Sequence, residues 1–219
     1  MTRIKGVIGN FSDVIESERK EKGCATLKHL KLSESDARMA NLRAIINGES
    51  GVMRIESGDY IQLYVHGELM MSDTLMERRT NDEFIANAHG KVMIAGLGVG
   101  MILEALIPLC ESGVVTSVVV YEKYQDVIDL VGHRYINRMP LEIRLADIME
   151  YVPPKDEMYD TIYFDIWPTI SEDNLDDIRK LHNRWKYRKN IGGWMDSWMA
   201  HFLRRRRDNE KRRDSRCWW

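Results

Sequence analysis

Four short apolar runs constrain this chain more than any other feature: "KVMIA" (91–95), "GVVTSVVVYE" (113–122), "LEIRLADI" (141–148) and "DTIYFDIWP" (160–168). Three of them are close to continuously apolar, as in strands buried on both faces of a parallel sheet, which no single-faced sheet requires. Helical patterns separate and follow them. "VGMILEALIPL" is apolar with Pro108 marking a kink or an end, and "QDVIDLVGHRYI" is amphipathic. "SEDNLDDIRKLHNRW" places Leu175, Ile178 and Leu181 on one face behind Ser171 as expected N-cap. Strands alternating with helices predict an α/β domain, a doubly wound and mostly parallel sheet with helices on both faces. Beyond Trp185 the pattern weakens. "NIGG" reads as a break, and "WMDSWMAHFLRRRR" reads as a helix with Trp194, Trp198 and Phe202 in line. Two further strands are not legible there, so the sheet is expected to be truncated at its C-terminal end.

The upstream part has a different texture. Residues 1–34 are polar and weakly patterned. "SESDARMANLRAIINGES" reads as a helix capped by Ser35 or Asp36, with Met39, Leu42, Ile45 and Ile46 on one face and Gly48 as its stop. "GVMRIESGDYIQLYVHGELMMSD" alternates around "SGD" and "HG", which predicts a small antiparallel β-hairpin unit with Ile61, Leu63 and Val65 on its inner side. Such a hairpin is not stable alone and must pack on the main domain. "TLMERRTNDEFIANAHG" then reads as a helical connector. The expected division is an N-terminal helix and hairpin unit (1–89), a cofactor-binding domain (90–203) and a basic tail (204–219).

No apolar run approaches the roughly 20 residues of a membrane helix, and the N-terminus lacks the apolar stretch of a secretion signal. A cytoplasmic protein is expected. Cys24, Cys110 and Cys217 are odd in number and far apart, unlike a disulfide framework or a metal site. The net charge of −2 hides an asymmetry: from Arg204 to Arg216 eight basic residues face three acids, while the remaining residues carry an excess of acid. A basic segment on an acidic body suits nucleic acid or an acidic partner, against the plainer reading of a solvated terminus. Trp194, Trp198, Trp218 and Trp219 offer either a subunit contact in a homo-oligomer or packing within the chain.

The chemistry gathers where the strands end. In a doubly wound sheet, ligands bind outside the carboxyl ends of the strands, near the switch in strand order. Gly96, Gly98 and Gly100 follow the first run, Glu122 ends the second, Asp147 follows the third and Asp165 ends the fourth. Glu122 stands 22 residues after Gly100, near the spacing of about 20 expected of a ribose-binding acid. The glycine loop holds no lysine, so it is not a P-loop. Phosphates need N–H groups and cations; three carboxylates instead accept hydrogen bonds from hydroxyls and amines and favour a positive centre. S-adenosylmethionine fits these demands better than NAD or ATP. Trp167 reads equally as a wall of such a pocket or as core. His66 and His89 read as turn or surface residues, and Met70, Met71 and Met76 as packing for the hairpin. Asp73, Glu77 and Glu83 fall in the segment that should reach over the pocket.

The ordered set "VMIAGLGVG … VVVYEKYQDVI … LADIMEY … YDTIYFDIW" resembles the Rossmann-like class I S-adenosylmethionine-dependent methyltransferase fold. Within it, Ile94 before the glycines, "YEKYQDVI", and "YVHGELMMS … NDEFI" upstream are similar to the spermidine synthase-like branch. The resemblance covers roughly residues 60–178. It implies that Gly96, Leu97 and Gly98 underlie the cofactor's amino-acid part, with Gly100 in the same cofactor-binding loop, and that Glu122, with Lys123 beside it, holds the ribose. It implies that Asp147 and Ile148 read the adenine, and that Asp165 faces the sulfonium and the incoming nucleophile as the catalytic residue. Two departures matter: Val99 stands where polyamine-forming relatives carry an acid, and Pro168 replaces the second acid of their D-x-x-D pattern. "DIWP" likewise shares only its leading acid with the proline-paired turn of nucleic-acid amino-methyltransferases.

Three readings follow. The first is a methyltransferase using S-adenosylmethionine, its acceptor undefined. The second is an aminopropyltransferase using decarboxylated S-adenosylmethionine, or an enzyme that cleaves the cofactor. The third is a non-catalytic module on the same fold that binds nucleic acid or another partner.

Overall fold

The computed structural model describes residues 6–46 and 54–214. Its main sheet is built from β5 (Gly90–Ala95), β6 (Val115–Glu122), β7 (Leu141–Leu145), β8 (Tyr159–Phe164) and β9 (Lys189–Ser197). All neighbours are parallel, in the order β7-β6-β5-β8-β9. The order reverses between β5 and β8, so the crevice for a ligand opens at the carboxyl ends of those two strands.

Both faces of this sheet are covered, which explains the continuous apolar runs. Val92 and Ile94 of β5 and Val118 and Val120 of β6 belong to one core, with α5 (Met101–Glu111) and α6 (Gln125–Val131). Met93, Ala95, Val119 and Tyr121 point the other way, onto α7 (Asn174–Trp185) and its fully buried Trp185. Pro108 lies inside α5, three residues before its end. Ser171 does not cap α7 itself; its Oγ accepts the Asp173 N–H at 3.2 Å, in the turn before the helix.

The fifth strand corrects the sequence reading. "KNIGGWMDS" is β9, so the expected break at Gly192 and Gly193 is strand, and Trp194 lies on a strand. Glycine is required at 193 by close approach, since a Cβ there would stand 2.6 Å from the Asp160 carbonyl oxygen. The helix begins later, as α8 (Ala200–Asp214). Leu203 on α8 is fully buried against α7, so the expected boundary at 203/204 falls within a continuous helix and the basic segment is helical through Asp214.

The N-terminal unit is also larger than a hairpin. β1 (Arg19–Lys22), β2 (Ala25–Leu32), β3 (Gly58–Val65) and β4 (Glu68–Ser72) form a four-stranded antiparallel sheet in that order. Ile61, Leu63 and Val65 face inward as expected, joined by Ala25 and Leu27 of β2. Before it, α1 (Ser12–Ser17) is pinned to the main domain: Arg134 donates to the Asn10 carbonyl and to both Asp13 oxygens, and its guanidinium lies 4.2 Å from the Phe11 ring centroid. α2 (Glu34–Ile46) forms where the sequence placed it, but its capping oxygen is Ser33 Oγ, which accepts the Asp36 N–H at 3.2 Å. Met39, Leu42, Ile45 and Ile46 are half or more exposed, so that face is not core. Gly48 lies outside the described residues. Two short helices, α3 (Leu75–Thr80) and α4 (Asp82–Asn87), connect β4 to β5. Among the described residues no helix is long and apolar enough to cross a membrane.

If β2 is a core strand, Leu27→Ala is expected to cost about 2–5 kcal/mol in denaturant unfolding. Leu69→Ala, on the exposed side of β4, is expected to change stability by no more than about 0.5 kcal/mol.

Candidate active site

The glycine loop between β5 and α5 owes its composition first to packing. At Gly96 the backbone has φ +97°, and a Cβ would meet the Asp165 carbonyl oxygen at 2.1 Å. At Gly100 a Cβ would strike the Tyr135 ring, which seats the start of α5 against the turn after α6. Gly98 faces Met71, a flexible side chain reaching over from β4, and Met71 Sδ accepts the Val99 N–H at 3.2 Å.

Above this loop lies a cavity of about 590 Å3, within the range of small-molecule sites. It sits at the carboxyl ends of β5 to β8 and takes in Gly96, Gly98, Glu122, Lys123, Asp147, Ile148 and Asp165 from the predicted set. Leu97 and Gly100 do not line it. Leu97 is buried beneath and contributes its N–H to Glu122, while Gly100 serves helix packing.

Each strand-end acid has a distinct setting. Glu122 is buried, with one carboxylate oxygen accepting the Leu97 N–H and the other the Tyr124 N–H, both at 2.9 Å. A carboxylate has about four acceptor positions, so acceptor capacity remains for a hydroxyl group of a ligand. Asp147 Oδ1 accepts the Met149 N–H at 2.9 Å, and Lys123 Nζ lies 2.9 Å from Oδ2. Burial pushes the Asp147 carboxyl up, but the ammonium and the N–H outweigh it and hold it below the usual range. Lys123 is thus a partner of Asp147, more than half exposed at the rim. Asp165 faces the cavity and has no side-chain partner among the described residues.

Further residues line the cavity from outside the strand-end set, among them Glu77 of the segment expected to reach over it and Trp167, offered by the sequence as a wall. Glu77 on α3 lines it, its Oε1 accepting the Ser72 N–H and hydroxyl at 2.8 Å each. Met70 and Met71 of β4 line it too, so the N-terminal sheet supplies one wall. Trp167 and Trp198 line it from the β8 and β9 exits. Asp73 does not reach it: fully buried, it accepts the Val7 and Ile61 N–H groups and lies beside Arg78. Glu83 lines a separate hollow, with Tyr163 and Asp196. His89 sits at the start of β5, at the opposite end of the sheet, and His66 lies in the β3–β4 turn. Among the described residues no group of His, Cys, Asp and Glu is arranged to hold a metal ion.

No family model and no curated protein matches the sequence. Solved structures do. One described as a DhpI–SAM–HEP complex is 17% identical, covering 54% of this chain and 51% of that one, with a TM-score of 0.41. A SAM-dependent methyltransferase from Leishmania major is 17% identical, covering 53% and 46%, at 0.40. A Zn-dependent alcohol dehydrogenase from Rhodobacter sphaeroides is 27% identical, covering 39% and 33%, at 0.31. The chain spans about half the length of the first two, or less.

The cavity's two least compensated acids have displaced titrations. Burial pushes Asp165 up to about 7. Burial also raises Glu77, to about 8, against the pull of the Ser72 hydrogen bonds, and the neighbouring charges of Asp165 and Asp73 add to the rise. Between the ordinary carboxylate range and these values the folded state binds more protons than the unfolded chain, so both groups lower stability as pH rises through that window. Asp165→Asn removes one contribution. Its melting temperature is expected to fall less than that of the unmodified protein between about pH 5.5 and pH 8; equal slopes would show that Asp165 is ordinarily solvated.

Proposed function

We propose that the chain binds S-adenosylmethionine in this cavity and transfers its methyl group to an acceptor nucleophile. The observation that carries the reading is the convergence of Glu122, Asp147 and Asp165, from three successive strand ends, on one cavity beside Gly96 and Gly98. The donor set suits an adenosyl sulfonium. Glu122 offers its remaining acceptor capacity to a ribose hydroxyl, and Asp147, with the apolar Ile148 beside it, suits an adenine amine. Asp165, with Glu77 near it, faces the remaining space with carboxyl groups that a bound cation would ionise, and no cation stands beside them among the described residues.

When bound, the cofactor supplies an electrophilic methyl group. The chain's contribution is orientation and charge. Asp165 would gain from a sulfonium bound in this cavity, because opposite charge favours its ionised form. In that form it is placed to accept a proton from an attacking amine or hydroxyl. Met70, Met71, Trp167 and Trp198 exclude water, and holding the nucleophile in line provides most of the acceleration. Calorimetric titration is expected to give micromolar binding of S-adenosylmethionine, with Glu122→Gln and Asp147→Ala each weakening it by about 10- to 100-fold, the value of a hydrogen bond to a charged group. Unaltered binding in both variants would remove the assignment.

One feature favours the aminopropyl reading as a second possibility in the same site. Among the described residues five acids line the cavity (Glu77, Glu122, Asp147, Asp165 and Asp177), and the one lysine there is already paired with Asp147. A doubly cationic, decarboxylated cofactor suits that charge better than one carrying a carboxylate, and Glu77 supplies an acid that Val99 and Pro168 do not. Mass spectrometry of the products separates the two: S-adenosylhomocysteine is expected for methyl transfer and methylthioadenosine for aminopropyl transfer.

A further inference from the structure

A further concave surface, of about 250 Å3, lies between α7 and α8. Leu175 and Ile178 form its floor, with Arg179 on one wall and Arg204 and Arg207 on the other. Asp176 lies 3.2 Å from Arg179, an exposed pair that contributes little. Arg204 stands 3.9 Å from Asp196, a weak ion pair. Arg207 is exposed and has no hydrogen bond or ion pair among the described residues. Three guanidinium groups therefore converge on one cleft with less anionic compensation than they need.

The helix extends this feature. Arg204, Arg207 and Lys211 follow each other at helical spacing, so they share a face over about 10 Å of axis. Every residue from 204 to 209, together with Lys211 and Arg212, is exposed, and none is apolar. A protein partner would need an apolar centre to its interface, whereas Leu175 and Ile178 lie buried at the floor and the exposed rim is polar, with Asp208 an acid among its cations; a polyanion needs only regularly placed cations. The cations are arginines with one lysine, and the planar guanidinium matches phosphate oxygens in pairs.

We propose that the α7–α8 groove docks the phosphodiester backbone of a nucleic acid, with Arg179, Arg204 and Arg207 as the contacting groups. Its position links it to the cavity: Asp176 lines the groove while the adjacent Asp177 lines the cavity. The inference stands on the groove alone and does not require the cofactor reading.

The test is fluorescence anisotropy with a labelled mixed-sequence oligonucleotide of about 20 nucleotides, as single-stranded RNA, single-stranded DNA and duplex DNA. The unmodified protein is compared with Arg179→Gln/Arg207→Gln. Binding of at least one of the three probes is expected, falling steeply with salt. The double variant, whose melting temperature should be unchanged, is expected to bind about tenfold or more weakly near 0.1 M salt and to lose about 1.5–2 from the log–log salt slope, one phosphate contact per arginine. Failure to bind any probe at low salt, or equal affinity and slope in both proteins, would overturn the proposal. So would displacement of the probe by polyglutamate as effectively as by unlabelled oligonucleotide, which would mark the groove as a site for acidic protein. A parallel titration with S-adenosylmethionine reads the cavity separately, so either result can fail without the other.

Discussion

The structure turns on a buried carboxylate. Glu122 sits at the end of β6, nearly out of reach of solvent, and spans the glycine loop and the entry to α6 through two backbone N–H groups. Burying a charge is costly unless it is paired or hydrogen-bonded. Here burial raises the carboxyl's pKa while N–H donors from both sides pull it back. The loop after β5 is thereby tied to the end of β6, and the crevice at the switch point is preset. With Gly96 held beneath the Asp165 carbonyl, the ends of β5, β6 and β8 are tied into one frame around the crevice.

That frame is closed by a unit of different construction. The N-terminal antiparallel sheet lends β4 to the cavity, and its Met71 rests on the glycine loop with the Val99 N–H directed at a thioether. Sulfur is a weak acceptor, and a methionine side chain is flexible. A ligand group with a better acceptor can take the Val99 N–H while Met71 moves aside, without any change in the frame below. The rigid part of the site therefore lies in the parallel sheet and the adaptable part in the appended one.

The parallel sheet was legible because burial on both faces leaves no polar alternation, and the acids stood out because they interrupt such runs. What was hidden has physical causes. In β2 only Ala25 and Leu27 are buried while Lys28, His29 and Lys31 remain accessible, so the strand looks like polar chain. In β9 two glycines imitate a break, although 193 is glycine because the neighbouring backbone comes too close for a side chain. α2 carries an apolar face that the fold leaves exposed, which periodicity cannot distinguish from core. Glu77 could not be separated from Asp73 and Glu83 by sequence, since only the turn between β4 and α3 decides which acid reaches the cavity. The loop glycines announced a special turn correctly, but the neighbours that impose it are protein atoms.

The distribution of charge ties the two surfaces together. Among the described residues five carboxylates line the cavity while guanidinium groups line the α7–α8 groove next to it. A phosphate would be repelled from the first and attracted to the second. A polyanion docked on α8 as proposed would be kept along the rim by the same acids that would favour a sulfonium within. What such a strand can send inward is an uncharged or cationic group, and an exocyclic amine of a base meets that condition where a phosphate oxygen does not. Asp165, poised near neutrality by its burial, is suited to receive the proton such an amine would release. On the two proposals together, the acidic pocket and the basic helix would act as complementary filters on one incoming molecule.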